Sequence, residues 1–172
     1  MPAGLSFEHA AAIPTSASTA LQALRDAGRV QDGQRVLIIG KGNSAFETAD
    51  SLMETTTLVH VAGPSPVRMA WRTHYVGHLR AVNTNFLDTY QLKSQNAVVD
   101  GSVTRIVRDG DGYTLHIAMS AAEGHEIVLH YDHVVACTGF RFNDEIFDPD
   151  IRPEMRHMGK FPAMTAQWES EV

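Results

Sequence analysis

Gly40, Gly42 and Ala45 stand in the spacing G-x-G-x-x-A within VLIIGKGNSAFETAD, residues 36–50. Small residues at these three places suit a turn that holds phosphate. Gly40 permits the tight turn, and Gly42 lets the backbone approach a pyrophosphate. Ala45 lets the following helix pack close to the preceding strand. Lys41, Asn43 and Ser44 complete the turn. Its peptide N–H groups lie at the positive end of the expected helix and are candidate pyrophosphate ligands. Tight turns in general use glycine, so the spacing alone is weak. Here a strand-like run precedes, a helical pattern follows and a second strand-like run comes at the right distance, which is the context a dinucleotide site requires.

An NAD or FAD site usually carries Asp or Glu at the end of the second strand, where it binds ribose hydroxyls. The stretch LVHVAGPSPVR, residues 58–68, has neither. Ser65, Arg68 and Arg72 follow instead. Guanidinium groups match phosphate geometry, and a missing acid removes repulsion from a 2′-phosphate. The expected ligand is therefore NADP(H) rather than NAD(H). The charge distribution agrees. The chain has a formal net charge of −6, which argues against a nucleic-acid partner. Yet from Thr55 to Leu87 it has no acid, while Arg68, Arg72, Arg80, His60, His74 and His78 all fall in that window. An acid-free, arginine-bearing window in an acidic chain is suited to an anion; solvated side chains are the plainer reading of the same pattern.

Other chemistry is less well supported. His74 and His78 have the i, i+4 spacing of a zinc pair, but no glutamate lies between them and Gly77 weakens a helix there. No metal site is expected. Cys137, the single cysteine, ends an apolar run and reads as a small core residue. Trp71 and Tyr75, four apart, read as packing partners. No Ser-His-Asp set has a recognisable local pattern, so no catalytic residue is assigned. One cysteine allows no internal disulfide, which makes a reducing cytosol the default and a cytoplasmic location the expectation. No apolar run approaches the ~18–20 residues of a membrane span, and the N-terminal stretch lacks the basic start of a secretory signal. No membrane partner is expected.

The elements that must position the turn follow from periodicity. Residues 5–28 read as helix, interrupted at Pro14 and stopped at Gly28. RVLIIG is too short for a helix and reads as a strand buried on both faces. NSAFETADSLM is helical, and TTTLVHVAG is β-branched and strand-like. Residues 67–99 read as irregular chain with one or two short helices. SVTRIVRD, GYTLHIAM and HEIVLHY alternate between turns and predict three antiparallel strands. HVVACTG predicts one more buried strand. The fold class expected is α/β, a Rossmann-like parallel sheet with an inserted three-stranded antiparallel meander at about 102–131. The expected organisation is a helical lead over 1–29, a nucleotide-binding domain over 30–139 and a loop-rich tail over 140–172.

VLIIGKGNSAFETAD, THYVGHLRAVN, LDTYQLKS and YDHVVACTGF together resemble the flavin-containing monooxygenase-like FAD-dependent oxidoreductases, over about residues 34–170. The nearest branch in appearance is that of the endoplasmic-reticulum flavoprotein associated with degradation and its bacterial relatives. The resemblance implies an NADP domain inserted into an FAD domain, with NADPH delivering hydride to FAD. It places Gly40, Gly42 and Ala45 on the NADP glycine motif. Thr138 and Gly139 fall on the family's A-T-G turn, where the chain returns to the FAD domain. The family's own FAD-binding glycine turn does not occur before Val36, so FAD is expected in the complete architecture and not on this chain alone. Residues 140–172 are then the remnant of an FAD domain, or a surface docking an FAD domain or second chain. Residues 4–39 resemble the medium-chain dehydrogenase and quinone reductase family instead. Two alternatives accompany the NADP(H)-domain reading: a catalytically silent nucleotide-binding or interaction module, and a medium-chain NADPH:quinone reductase fragment.

Overall fold

The structure is a computed structural model of the 172-residue chain. It describes residues 29–53, 58–71, 77–92, 97–139, 141–156, 159–167 and 169–170. The helix expected over 5–28 lies outside them, as do Arg72, His74 and Tyr75. The residues up to Thr138 form one compact unit and those from Gly139 another.

In the first unit, β1 (Arg35–Ile39) leads through the glycine turn into α1 (Asn43–Leu52). β2 (Leu58–Gly63) follows, then a short 3₁₀ turn at Ala81–Asn83 and α2 (Asn85–Leu92). β3 (Ala97–Asp109), β4 (Gly112–Met119) and β5 (Glu126–Tyr131) come next, and β6 (His133–Ala136) closes the unit. The sheet order is β5-β4-β3-β2-β1-β6. Strands β3, β2, β1 and β6 run parallel, and β3, β4 and β5 are antiparallel. The fold is thus α/β with a mostly parallel central sheet.

The apolar run of β1 is explained by its place between β2 and β6, with Val36, Leu37 and Ile38 fully buried. Alternate side chains serve two cores. Val36, Ile38, Val59 and Val61 pack with Ala45, Phe46, Ala49 and Leu52 of α1 and Phe86 of α2. Phe46 and Phe86 meet edge to face, ring centroids 6.0 Å apart. Leu37, Ala62 and Val99 pack with Leu115, Ile117 and Tyr131 of the meander. A meander therefore covers the sheet face that a doubly wound fold would cover with helices.

Two details depart from the sequence reading. β3 begins at Ala97, before the expected start of the meander, and its first residues add a fourth parallel strand, beside β2. Asp100-Gly101 has the composition of a turn, which hid this continuity. Gly101 instead serves close packing, since a Cβ there would come within 2.7 Å of Ile117 Cγ2 and 2.9 Å of the Ala118 carbonyl oxygen. β6 is half-buried, because it pairs with β1 along one side only among the described strands.

In the second unit, 3₁₀ turns at Asp144–Ile146 and Pro149–Ile151 precede the two-residue strands β7 (Met155–Arg156) and β8 (Phe161–Pro162), which pair antiparallel. Phe142 and Phe147 stack, centroids 6.1 Å apart.

Candidate functional site

The glycine turn leaves the carboxyl end of β1, the edge where open α/β sheets bind ligands. Gly40 is held on both sides. Its N–H donates to the Ala62 carbonyl at 2.8 Å, while the Cys137 N–H donates to the Ile39 carbonyl at 2.7 Å. Its φ is +127°, and a Cβ would collide with the Cys137 carbonyl. The fold itself requires glycine there. Ala45 is fully buried in the α1 core, which fits its expected role in close helix–strand packing.

Gly42 differs. It caps α1 with φ −88° and ψ −175°, ordinary extended backbone, and a Cβ there would have only the Gly77 Cα in reach, at 3.9 Å. No side chain caps the helix. Among the described residues, the N–H groups of Gly42, Asn43 and Ser44 meet no protein acceptor. These are the groups that a helix start leaves unpaired.

The side chains around the turn are more committed than their sequence positions suggest. Lys41 lies across β2, its methylenes beside Gly63, with Cγ 3.2 Å from where a Cβ would stand. Its ammonium donates to the Ser65 carbonyl at 2.9 Å and pairs with the Asp100 carboxylate. Asn43 organises the incoming loop. Its Nδ2 donates to the His78 carbonyl at 2.9 Å, and its Oδ1 accepts from the Arg80 N–H and Asn83 Nδ2, each at 2.9 Å. Glu47, one turn along α1, accepts from Arg80 at 3.0 Å and Asn83 at 2.9 Å. Asn43 thus offers a ligand its peptide N–H, while its side chain serves the protein. Ser44 gives its carbonyl to the Thr48 hydroxyl at 2.7 Å.

Ser65 and Arg68 are exposed on the segment leaving β2. That segment is fixed by a bridge between Met69 and Leu79, with Leu79 N–H donating to the Arg68 carbonyl at 2.7 Å. The structure therefore brings Gly40–Ala45 and Ser65 together and places Arg68 three residues further on; Arg72 is outside the described residues. Thr138 is exposed after β6, and Gly139 opens the second unit. Trp71, expected to pack, is 78 % exposed. Among the described residues no group of His, Cys, Asp and Glu could hold a metal. Cys137 packs against the α1 core, and burial pushes its thiol pKa up, opposed by the Thr48 hydroxyl. A thiol held protonated is a poor nucleophile.

Sequence reasoning missed Asp100. No acid is near the end of β2 along the chain, but the register pairs Gly63 with Asp100 of β3. An acid thus reaches the end of the second strand from its neighbour. Only the parallel pairing of β3 could have revealed it. Glu47 and Asn83 were missed for a similar reason, since their contacts link α1 to a segment more than thirty residues away.

A mostly parallel sheet with a glycine turn at its carboxyl edge defines the Rossmann-like class of α/β fold, and comparison makes this specific. The chain belongs to the pyridine nucleotide-disulphide oxidoreductase family, whose profile matches residues 7–172. It is 36 % identical to the FAD-dependent oxidoreductase domain-containing protein 2 of Danio rerio over 79 % of this chain and 26 % of that protein. The chain spans about a quarter of that relative's length. Its fold is similar to L-lysine 6-monooxygenase from Pseudomonas syringae, with TM-score 0.63 and 15 % identity over 90 % of this chain and 47 % of that one. It is also similar to T. acidophilum thioredoxin reductase, with TM-score 0.61 and 18 % identity over 86 % of this chain and 44 % of that one. Among the described residues, no helix is long and apolar enough to cross a membrane.

Proposed function

We propose that the glycine turn binds NADP(H) and that this chain is the NADP(H)-binding part of a flavin-dependent oxidoreductase. The reading takes in the branch suggested by the sequence resemblance, that of the endoplasmic-reticulum flavoprotein. The observation that carries the reading is Gly42. Nothing among the described residues requires glycine there, neither its backbone angles nor its neighbours, so the space beside it suits a ligand approaching the N–H groups of residues 42–44. The pyrophosphate would rest on those groups, with Ser65, Arg68 and Arg72 beside the 2′-phosphate. Bound NADPH would supply hydride for a flavin. The chain's own part is to bind and orient, which agrees with the absence of an acid–base set in the sequence.

The described residues contain one strand–glycine turn–helix cradle, at Gly40–Ala45, and no second. In this reading flavin belongs to the complete architecture that the sequence resemblance implies. In the second unit, Ile146 is 73 % exposed and Ile151 57 %, which suits docking against an FAD domain or second chain.

Gly42→Ala tests the reading. The fold should tolerate the methyl group, with the melting temperature moving by no more than a few degrees. NADPH and NADH affinity should each fall about tenfold, ~1.4 kcal/mol, because both share the pyrophosphate. Calorimetric titration measures this, and unchanged NADPH affinity would remove the case for the site. A parallel FAD titration separates the alternatives: tight flavin binding would refute the single-cradle assignment, while NADPH-dependent quinone reduction without flavin would favour a quinone reductase fragment.

A further inference from the structure

We propose that Lys41 sets the coenzyme preference of this site by neutralising Asp100. The inference rests on the NADP(H) reading and adds to it a residue pair that no local motif reveals.

Asp100 stands opposite Gly63, the last residue of β2. A carboxylate at the end of the second strand favours ribose hydroxyls and repels a 2′-phosphate. Left alone, Asp100 would bias the crevice toward NADH. Lys41 prevents this. Its side chain is only 8 % exposed and lies along β2, and its ammonium is anchored by the Ser65 carbonyl and the Asp100 carboxylate. The Asp100 side chain is 42 % exposed, so it faces the solvent from which a ligand arrives. The Asp100 backbone is fixed as well, its carbonyl accepting from the Ser120 N–H at 2.9 Å, while Ser120 Oγ donates to the Pro64 carbonyl at 2.7 Å. The acid and the loop carrying Ser65 and Arg68 are thus tied to one frame. The Asp100 backbone is held in place, and its carboxylate stays within reach of the Lys41 ammonium. Lys41 belongs to the glycine turn itself, so pyrophosphate cradle and charge cancellation are built from adjacent residues.

The test is titration of the full chain with NADPH and with NADH, for the wild type, Lys41→Met, Asp100→Asn and the double variant, with thermal melts of each. Lys41→Met should weaken NADPH about tenfold and leave NADH unchanged or tighter. Asp100→Asn, nearly isosteric and still able to accept from Lys41, should tighten NADPH several-fold and leave NADH within about twofold. The double variant should recover most of the NADPH affinity lost in Lys41→Met. Equal loss of both nucleotides in Lys41→Met would make Lys41 a strut and overturn the inference while leaving the NADP(H) reading intact. Failure of Asp100→Asn to rescue would do the same, pointing to direct contact between Lys41 and the nucleotide. If Lys41→Met does not fold, Asp100→Asn decides alone: unchanged NADPH affinity overturns the proposal. A wild type that binds neither nucleotide, or both equally, would sink the NADP(H) reading and this inference together.

Discussion

Replacing Gly40 by alanine should cost the fold about 3–5 kcal/mol, the largest loss expected from any single methyl group near the site. Two effects add. The residue has φ +127°, a conformation that L side chains rarely adopt. Its Cβ would also collide with the carbonyl of Cys137, a backbone group with no freedom to rotate aside. Relief requires either a flip of Gly40, which breaks its 2.8 Å bond to Ala62, or a retreat of Cys137, which breaks its 2.7 Å bond to Ile39. Each breaks a hydrogen bond at the end of a parallel strand pair with β1. Denaturant unfolding should show a lower midpoint with unchanged slope, and the melting temperature should fall by roughly 10 °C. Gly110→Ala is the control. Gly110 has φ +61°, and a Cβ there would have nothing within 4 Å, so it loses only the conformational part, about 1 kcal/mol. Equal stability losses at the two positions would show that the collision is absent.

The contrast between Gly40 and Gly42 also measures how far the sequence can be read. The G-x-G-x-x-A spacing identified the turn, and the continuous apolar run of β1 identified its central place in the sheet, because both depend on neighbours along the chain. The spacing could not say which glycine serves the fold and which is left open, since that depends on Cys137, nearly a hundred residues away. Lys41 gives the same lesson. In sequence it belongs to a phosphate turn; in space it belongs to Asp100. The pairing of β2 with β3 was hidden by a dipeptide of turn composition, and with it the acid that Lys41 pairs with. Asn43 likewise sits at a helix start, where its side chain would be expected to cap, yet among the described residues its side-chain hydrogen bonds go to residues 78–83. Local patterns made the elements legible. Register and long-range partners decide what the side chains on them do.

The second large effect should appear as pH dependence of stability, and its source is His60. On β2 this ring points away from α1, toward the meander, where Nδ1 lies 2.7 Å from Tyr131 Oη. The Arg35 guanidinium stands 5.9 Å over the Tyr131 ring, and its Nε is buried without an acceptor among the described residues. Burial first, and the Arg35 charge second, lower the His60 pKa from 6.5 to about 4. Protonation would turn both ring nitrogens into donors beside a cation. The unfolded chain therefore binds this proton more readily than the folded one, and stability rises with pH between the two values. The contribution is complete above about pH 6.5 and is lost as the pH falls toward 4. Allowing for the partly exposed ring, the loss by pH 4.5 is about 2 kcal/mol. Glu126 adds to acid lability at lower pH, because hydrogen bonds from His116 and Thr104 hold its pKa below 4.5. Urea unfolding of the wild type and His60→Gln at pH 7.5 and pH 4.5 isolates the histidine. The wild type should lose about 2 kcal/mol more than the variant across that interval. Parallel losses would mean that His60 reaches solvent in the folded protein, and that the meander does not seal this face of the sheet.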